Sequence, residues 1–519
     1  MTFFVSMTYN CTNVQYIKHS LKPMRPIITI LLSLHILTAY SQNAPISIAD
    51  AEFNAQFFKT PKPIVSGKII NASKKDLAEL KITYSLVNPF LSVQTNGIAS
   101  INKDGSFKFN LEYPFPYQEL WINLGDYFYS GVYVNKGTNL ELDLAQLKKH
   151  SVEFNGKGVK YKGRDGEFNL WRNDLRLYKR KQQSAIYDEL YKLQMHQPDY
   201  IVKLDSLHNL LKSIYSEYIT KNPSPLSTLS ENDRLCDYYS SLLKYMQITK
   251  KELPVWKQIK NHKALMISNS ASMFNYNLFN YANYKAQTQN EAIDKILGIY
   301  YADMLKLKAG NRGVIANEQE FGELTSTVHT HWVKEVLRKQ HYNALRKLDE
   351  VKAALNSGDV IAGDLVVGQP VAQYTFGAKL SSVSKTKATQ FLAKLHNKFK
   401  GKAMIIDMWA TWCGPCIADL PYSSKLHNEA ANLPVEFVYL CTSSGSSIEK
   451  WKNKITELKQ SGTHIFIDQP LTNELLSLFG KSGFPSYVCI DTDGKVSTTI
   501  LIERMQSVSL NDIKKLIIN

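Results

Sequence analysis

Cys413-Gly414-Pro415-Cys416 joins an apolar run to a stretch with helical patterning. Two thiols three residues apart at a helix start can close a disulfide within one turn, a spacing suited to electron exchange. The helix N-terminus offers unpaired N–H groups and the positive end of the helix dipole, and both stabilise a thiolate. Cys413 is therefore the expected nucleophile. Cys416, one turn deeper, is the expected resolving thiol, which attacks a mixed disulfide and expels the client. Pro415 fits an early helical position, where a missing N–H costs little. Just upstream, Met404-Ile405-Ile406-Asp407-Met408-Trp409 is apolar on both faces of a strand. Burial there raises the pKa of Asp407 and makes it a candidate proton acceptor for Cys416, against the alternative of a structural or partly solvated aspartate.

A close cysteine pair is also half of many zinc sites. Structural zinc usually takes two such pairs, and Cys441, Cys489 and His464 are scattered singles, so no metal is expected. Cys441 and Cys489 sit in apolar strands and read as packed thiols.

The run Trp409-Ala410-Thr411-Trp412-Cys413-Gly414-Pro415-Cys416 resembles the thioredoxin active-site motif, and residues 366–519 resemble the exported TlpA/ResA-like branch of that superfamily. Three further matches carry the resemblance. Phe484-Pro485-Ser486 follows Gly483 where the family places a cis-proline, Pro421 falls where its first long helix is kinked, and an extra helix and strand lie between residues 435–440 and Pro485. The resemblance implies a thioredoxin fold with client contacts at Trp412, Gly414, Pro415, Phe484 and Pro485, and it places Asp407 at the family's buried aspartate. It also implies client proteins bearing thiols or disulfides, a membrane-embedded electron donor and no organic cofactor. The Gly-Pro dipeptide resembles that of reducing thioredoxins, which favours a reductase over an oxidase or isomerase. A peroxiredoxin-like peroxidase shares the fold, but Ile406 stands where its Pro-x-x-x-Thr/Ser-x-x-Cys pattern needs proline. The rival from another class is a cell-envelope binding or assembly protein with a secondary redox domain.

The elements that hold these residues alternate strand and helix. Strands are expected at 403–409, 435–440, 465–468 and 487–490, and helices from Cys413 or Gly414, at 446–460, at 471–479 and at 510–518. Asp491-Thr492-Asp493-Gly494 is expected to open a hairpin into a strand at 497–502. Upstream, residues 165–357 carry apolar positions at three- and four-residue spacing, broken at Asn222-Pro223-Ser224-Pro225, near Pro254 and around Gly310-Asn311-Arg312-Gly313. They read as a helical domain whose tyrosines are core and interface. Residues 46–160 alternate with period two, with turn chemistry at Lys103-Asp104-Gly105-Ser106 and Asn135-Lys136-Gly137-Thr138, and read as a small antiparallel β-sandwich. The thioredoxin-like domain is placed at 362–519.

A length of 519 residues implies several packed units, and 44% hydrophobic with 21% charged residues excludes wholesale disorder and a polytopic membrane protein. The net charge of +16 comes from dispersed Lys and Arg without a basic block, so no nucleic-acid partner is expected. Met24-Arg25-Pro26, an apolar run over 27–37 and the small residues Ala39 and Ser41 form a signal-peptide pattern over residues 1–41, with translation starting at Met24 and cleavage before Gln42. The expected location is the periplasm or cell envelope. The alternative is an uncleaved signal acting as a membrane anchor.

Overall fold

The computed structural model describes residues 45–89, 95–307, 318–355, 367–481, 483–500 and 502–517. The leader, the glycine break at 310–313 and the boundary between 357 and 362 lie outside the described residues. The first strands are β1 (Ile64–Ile70), β2 (Ile82–Leu86), β3 (Thr95–Ala99), β4 (Ser106–Asn110), β5 (Gln118–Leu124), β6 (Phe128–Val134), β7 (Thr138–Asp143), β8 (Val152–Glu153) and β9 (Val159–Lys162). They form two sheets, ordered β4-β1-β7-β9 and β3-β2-β5-β6-β8. Period-two alternation turns Leu140 and Leu142 of β7 inward, where they share one core with Val65 of β1 and with Leu120, Ile122 and Val132 of the other sheet.

Two details differ from the sequence expectation. β1 pairs with β7 and β6 with β8 in parallel, so the sheets are mixed rather than antiparallel throughout. The turn at 135–138 closes no hairpin but carries the chain from β6 in one sheet to β7 in the other. Asp165 stabilises that crossover by accepting the N–H groups of Asn135, Lys136 and Gly137 at 2.9, 2.8 and 2.6 Å. The turn at 103–106 also leads from β3 in one sheet to β4 in the other, but it closes a local hairpin as expected, with Ile101 bridged antiparallel to Phe107 and the Asn102 N–H donating to the Ser106 carbonyl at 2.8 Å.

The helices that follow include α1 (Gly166–Leu177), α2 (Arg180–Lys192), α3 (Tyr200–Lys221), α4 (Ser227–Thr249), α5 (Asn269–Gln289) and α6 (His331–Leu355). The proline pair at 223 and 225 separates α3 from α4, since proline removes a donor and restricts the residue before it. Phe168, Trp171, Tyr215 and Tyr218 pack with Tyr133 of β6, docking the helices on a sheet.

The C-terminal region contains β10 (Gln369–Gln373), β11 (Ala378–Val383), α7 (Ala388–Lys398), β12 (Ala403–Trp409), α8 (Gly414–Glu429), β13 (Val435–Thr442), α9 (Ile448–Leu458), β14 (Gly462–Ile467), α10 (Gln469–Leu478), β15 (Ser486–Ile490) and α11 (Leu510–Lys515). One sheet runs β10-β11-β14-β13-β12-β15, with the four inner strands parallel and both edge strands antiparallel. The expected strand at 497–502 is not formed among the described residues. A single bridge joins Ile490 to Val496, and the Ser497 hydroxyl then accepts the Ile500 N–H at 3.0 Å, turning the chain away.

Candidate functional site

Every residue of β12 is buried. Ile405 and Trp409 face one core, and Met404, Ile406 and Met408 face the other. Period two puts Asp407 on the Ile405 and Trp409 side, the side whose core also holds Cys413 and Cys416. After Trp409 the chain turns, with the Cys413 N–H donating to the Ala410 carbonyl at 3.1 Å, and α8 begins at Gly414. Cys413 is the residue capping that helix, and its sulfur accepts the Cys416 N–H at 3.2 Å. Pro415 lies in the first turn, and the helix continues through Pro421. Cys413 and Cys416 are joined in a disulfide, their Cα atoms 5.3 Å apart.

The surroundings of the pair are open on one side. A Cβ added at Gly414 or Gly483 would meet nothing within 4 Å. Trp412 is 58% exposed. Its indole N–H donates to the Ser444 carbonyl at 2.7 Å, and its ring meets Phe484 edge to face at 6.0 Å. Gly445 permits that support, because its φ is +65° and a Cβ there would lie 2.7 Å from the indole nitrogen. The Phe484–Pro485 peptide is cis. The register that pairs Met408 with Ser486 brings Pro485 level with the end of β12, beside the turn that carries the cysteines.

Two carboxyl groups flank this arrangement in opposite electrostatic settings. Asp407 is 3% exposed, and its Oδ1 makes no hydrogen bond. Burial, with the nearby charge of Asp419, holds its pKa well above the usual carboxylate range. Asp419 lies one turn beyond Cys416 on α8 and is also buried. It accepts from Arg504 Nε and Nη2, both at 2.8 Å, from the Tyr487 hydroxyl at 2.9 Å and from the Met505 N–H at 3.2 Å. Burial alone would raise the Asp419 pKa, but these donors outweigh it and hold the pKa below the usual value. Arg504 also reaches the Pro415 carbonyl at 3.4 Å. One guanidinium thus ties the first turn of α8 to the C-terminal segment.

Residues 376–517 match the family described as Redoxin. The C-terminal region is a redoxin domain, thioredoxin-like. Thiol-disulfide oxidoreductase ResA of Bacillus thuringiensis subsp. konkukian is 30% identical over 118 residues, which cover 23% of this chain and 65% of that relative. ResA of Bacillus subtilis is 22% identical over 152 residues, covering 27% of this chain and 80% of that relative. The thioredoxin domain of a thiol-disulfide oxidoreductase from Bacteroides vulgatus, a solved crystal structure, is 24% identical and covers 23% of this chain and 81% of that one, with a TM-score of 0.20.

Within the redoxin domain Cys413, Cys416, Trp412, Gly414, Pro415, Phe484 and Pro485 gather at one end of β12, with Asp407 beneath them in the strand. Asp419, Tyr487 and Arg504 are absent from the sequence reading. The only local signal was a carboxylate three residues past Cys416 on the same helix. Cys441 and Cys489 are buried free thiols, each pushed up to about 12 by desolvation. His464 is buried and stacks on Tyr439. Among the described residues, no three His, Cys, Asp or Glu side chains converge in a way that could hold a metal ion, and no helix is long and apolar enough to cross a membrane.

Proposed function

We propose that the redoxin domain catalyses thiol–disulfide exchange with client proteins, working outside the cytoplasm as a reductase. The observation that supports this most is the Cys413–Cys416 disulfide capping α8, beside an exposed Trp412 and a cis Pro485. In the reduced enzyme the Cys413 thiolate attacks a client disulfide, forming a mixed disulfide and releasing one client thiolate. Cys416 then attacks the Cys413 sulfur, re-forms the Cys413–Cys416 disulfide and releases the second client thiolate. Two electrons pass to the client, and a membrane-embedded dithiol donor returns them. The Cys416 N–H that donates to Cys413 in the disulfide also stabilises the Cys413 thiolate. Asp407 takes the Cys416 proton, its raised pKa narrowing the gap to a thiol and making the transfer less uphill.

Replacing Cys416 with Ser tests the assignment, because Cys413 then attacks but nothing expels the client. Dithiothreitol-sensitive adducts should accumulate on non-reducing gels with Cys416→Ser and be absent when Cys413→Ser is added. If the single variant traps no more than the double one, Cys413 is not the nucleophile. The export part of the proposal predicts a mature N-terminus near Gln42, and N-terminal sequencing of protein from the native envelope checks it. An intact Met1 or Met24 there counts against cleavage.

A further inference from the structure

Cys416 and Asp419 lie three residues apart on α8, and both are buried. Helical spacing sets side chains at i and i+3 on one face, with Cβ atoms about 5–6 Å apart, so a carboxylate stands one turn behind the resolving thiol. Near neutral pH Asp419 is an anion there, because its donors outweigh its burial. Its charge reaches across the core, since it helps to raise the pKa of Asp407 on β12. A buried anion in that place works against the helix terminus. It disfavours a thiolate on either cysteine, and the protein interior screens it far less than water would.

The groups on the neighbouring strands do not correct this. β12 contributes Asp407, β13 Tyr439 and Cys441, and β15 Tyr487 and Cys489, and none of these side chains can carry a positive charge. Lys481 faces Cys489 farther along β15 and has Glu503 beside it. The Tyr487 hydroxyl and the Met505 N–H donate to Asp419, but neither brings a charge that could cancel it.

Arg504 does bring one. Its Nε and Nη2 each lie 2.8 Å from an oxygen of Asp419, and Nη2 is also 3.4 Å from the carbonyl of Pro415, the residue before Cys416. The guanidinium thus runs along the first turn of α8, from the carboxylate to the cysteine motif. Tyr422 of α8 faces it as well.

We infer that Arg504 is a positioning residue for thiol–disulfide exchange: by cancelling the charge of Asp419 behind Cys416, it leaves the start of α8 free to stabilise the Cys413 thiolate. The inference rests on the reading of Cys413 as the attacking thiol.

The full-length protein, reduced and desalted, is alkylated with iodoacetamide over a series of pH values, with mass mapping to follow Cys413 separately from the other thiols. Arg504→Met should slow alkylation of Cys413 about tenfold at pH values below its pKa and move the midpoint of the rate profile upward. Arg504→Lys keeps a point charge and should recover most of the native rate. Adding Asp419→Asn to Arg504→Met removes the anion too and should return the profile towards the native one, although the clasp is then gone altogether. A purely structural arginine would give no such rescue. Should Arg504→Met fail to fold, Arg504→Gln, which can still donate to Asp419 but without charge, serves the same comparison. Equal profiles for the native and uncharged variants overturn the inference. So does a lysine variant as slow as the uncharged one, or a double variant no faster than Arg504→Met. If Cys413 of the native protein reacts no faster than the buried Cys441, the assignment of Cys413 as nucleophile fails, and the inference with it.

Discussion

Asp407 and Asp419 are both buried carboxyl groups of one domain, yet their surroundings shift their pKa values in opposite directions. Asp419 has four hydrogen bonds from Arg504, Tyr487 and Met505, so its anion is favoured even out of water. Asp407 has desolvation and a neighbouring anion against it. A folded-state pKa above the unfolded value means that Asp407 weighs least on stability below about pH 3.8 and increasingly as pH rises towards the folded value, by up to about 1.4 kcal/mol per pH unit. Asn cannot titrate. Asp407→Asn should therefore gain stability over the native protein as pH rises through that window and hold a constant advantage above it, as urea midpoints at successive pH values would show. In exchange assays the same variant should slow resolution by Cys416 more than attack by Cys413, and equal slowing of both steps would argue against its proton-transfer role. Asp407 was legible in the sequence because a carboxylate inside an unbroken apolar run has no surface to reach. Asp419 was not, because its partner Arg504 lies 85 residues away and only the fold brings the two together.

At the scale of elements, the first turn of α8 is held from both sides. Trp412 is propped by the loop of Ser444 and Gly445, and Arg504 clasps Pro415 and Asp419 from the C-terminal segment. Breaking the clasp with Arg504→Met leaves Asp419 buried with the Tyr487 and Met505 donors alone. Removing one partner of a buried ion pair costs about 3–5 kcal/mol, but the Arg504 side chain is 39% exposed and water screens the pair, so a loss of about 2 kcal/mol is expected at neutral pH. The sign with pH is fixed by the depressed pKa of Asp419. The stabilisation is present above the unfolded value near 3.8 and disappears as pH falls through the lower folded value, so native and variant midpoints should converge in acid. An unchanged difference between pH 7 and pH 3 would show that packing, rather than charge, holds Arg504. The parallel inner strands β12 and β13 were readable because burial on both faces makes them continuous apolar runs. β10 and β11 carry no such run. The exposed Gln369, Pro370 and Gln373 of β10 reflect an edge strand that packs little, and its pattern is that of a loop.

Over the whole molecule, the described residues from 46 onward pack as one unit, and α6 joins its helical region directly to the redoxin domain. Its N-terminal part places Trp332, Val333, Val336 and Leu337 in the helical core, and its C-terminal end places Val351, Ala354 and Leu355 in the redoxin core with Phe391, Leu392 and Leu475. At 1.5 Å per residue the 25-residue helix spans about 37 Å. The sequence period announced a helix here, but not that its two ends serve different cores, because hydrophobic spacing reports a buried face and not what covers it. An unbroken helix anchored at both ends transmits unfolding from one region to the other, since neither core can open without exposing its share of the same hydrogen-bonded rod. Leu355→Ala should remove about 2–4 kcal/mol from the redoxin end by leaving a cavity where the side chain is 1% exposed. Leu337→Ala should do the same at the helical end. Calorimetry distinguishes coupling from mere adjacency. With coupling, the native protein shows a single transition, Leu355→Ala lets the redoxin domain melt first as a separate event, and insulin reduction is lost on heating before helical signal falls. If the native protein instead shows two transitions, with Leu355→Ala lowering only the redoxin one and Leu337→Ala only the helical one, the cores are merely adjacent and α6 does not transmit unfolding between them.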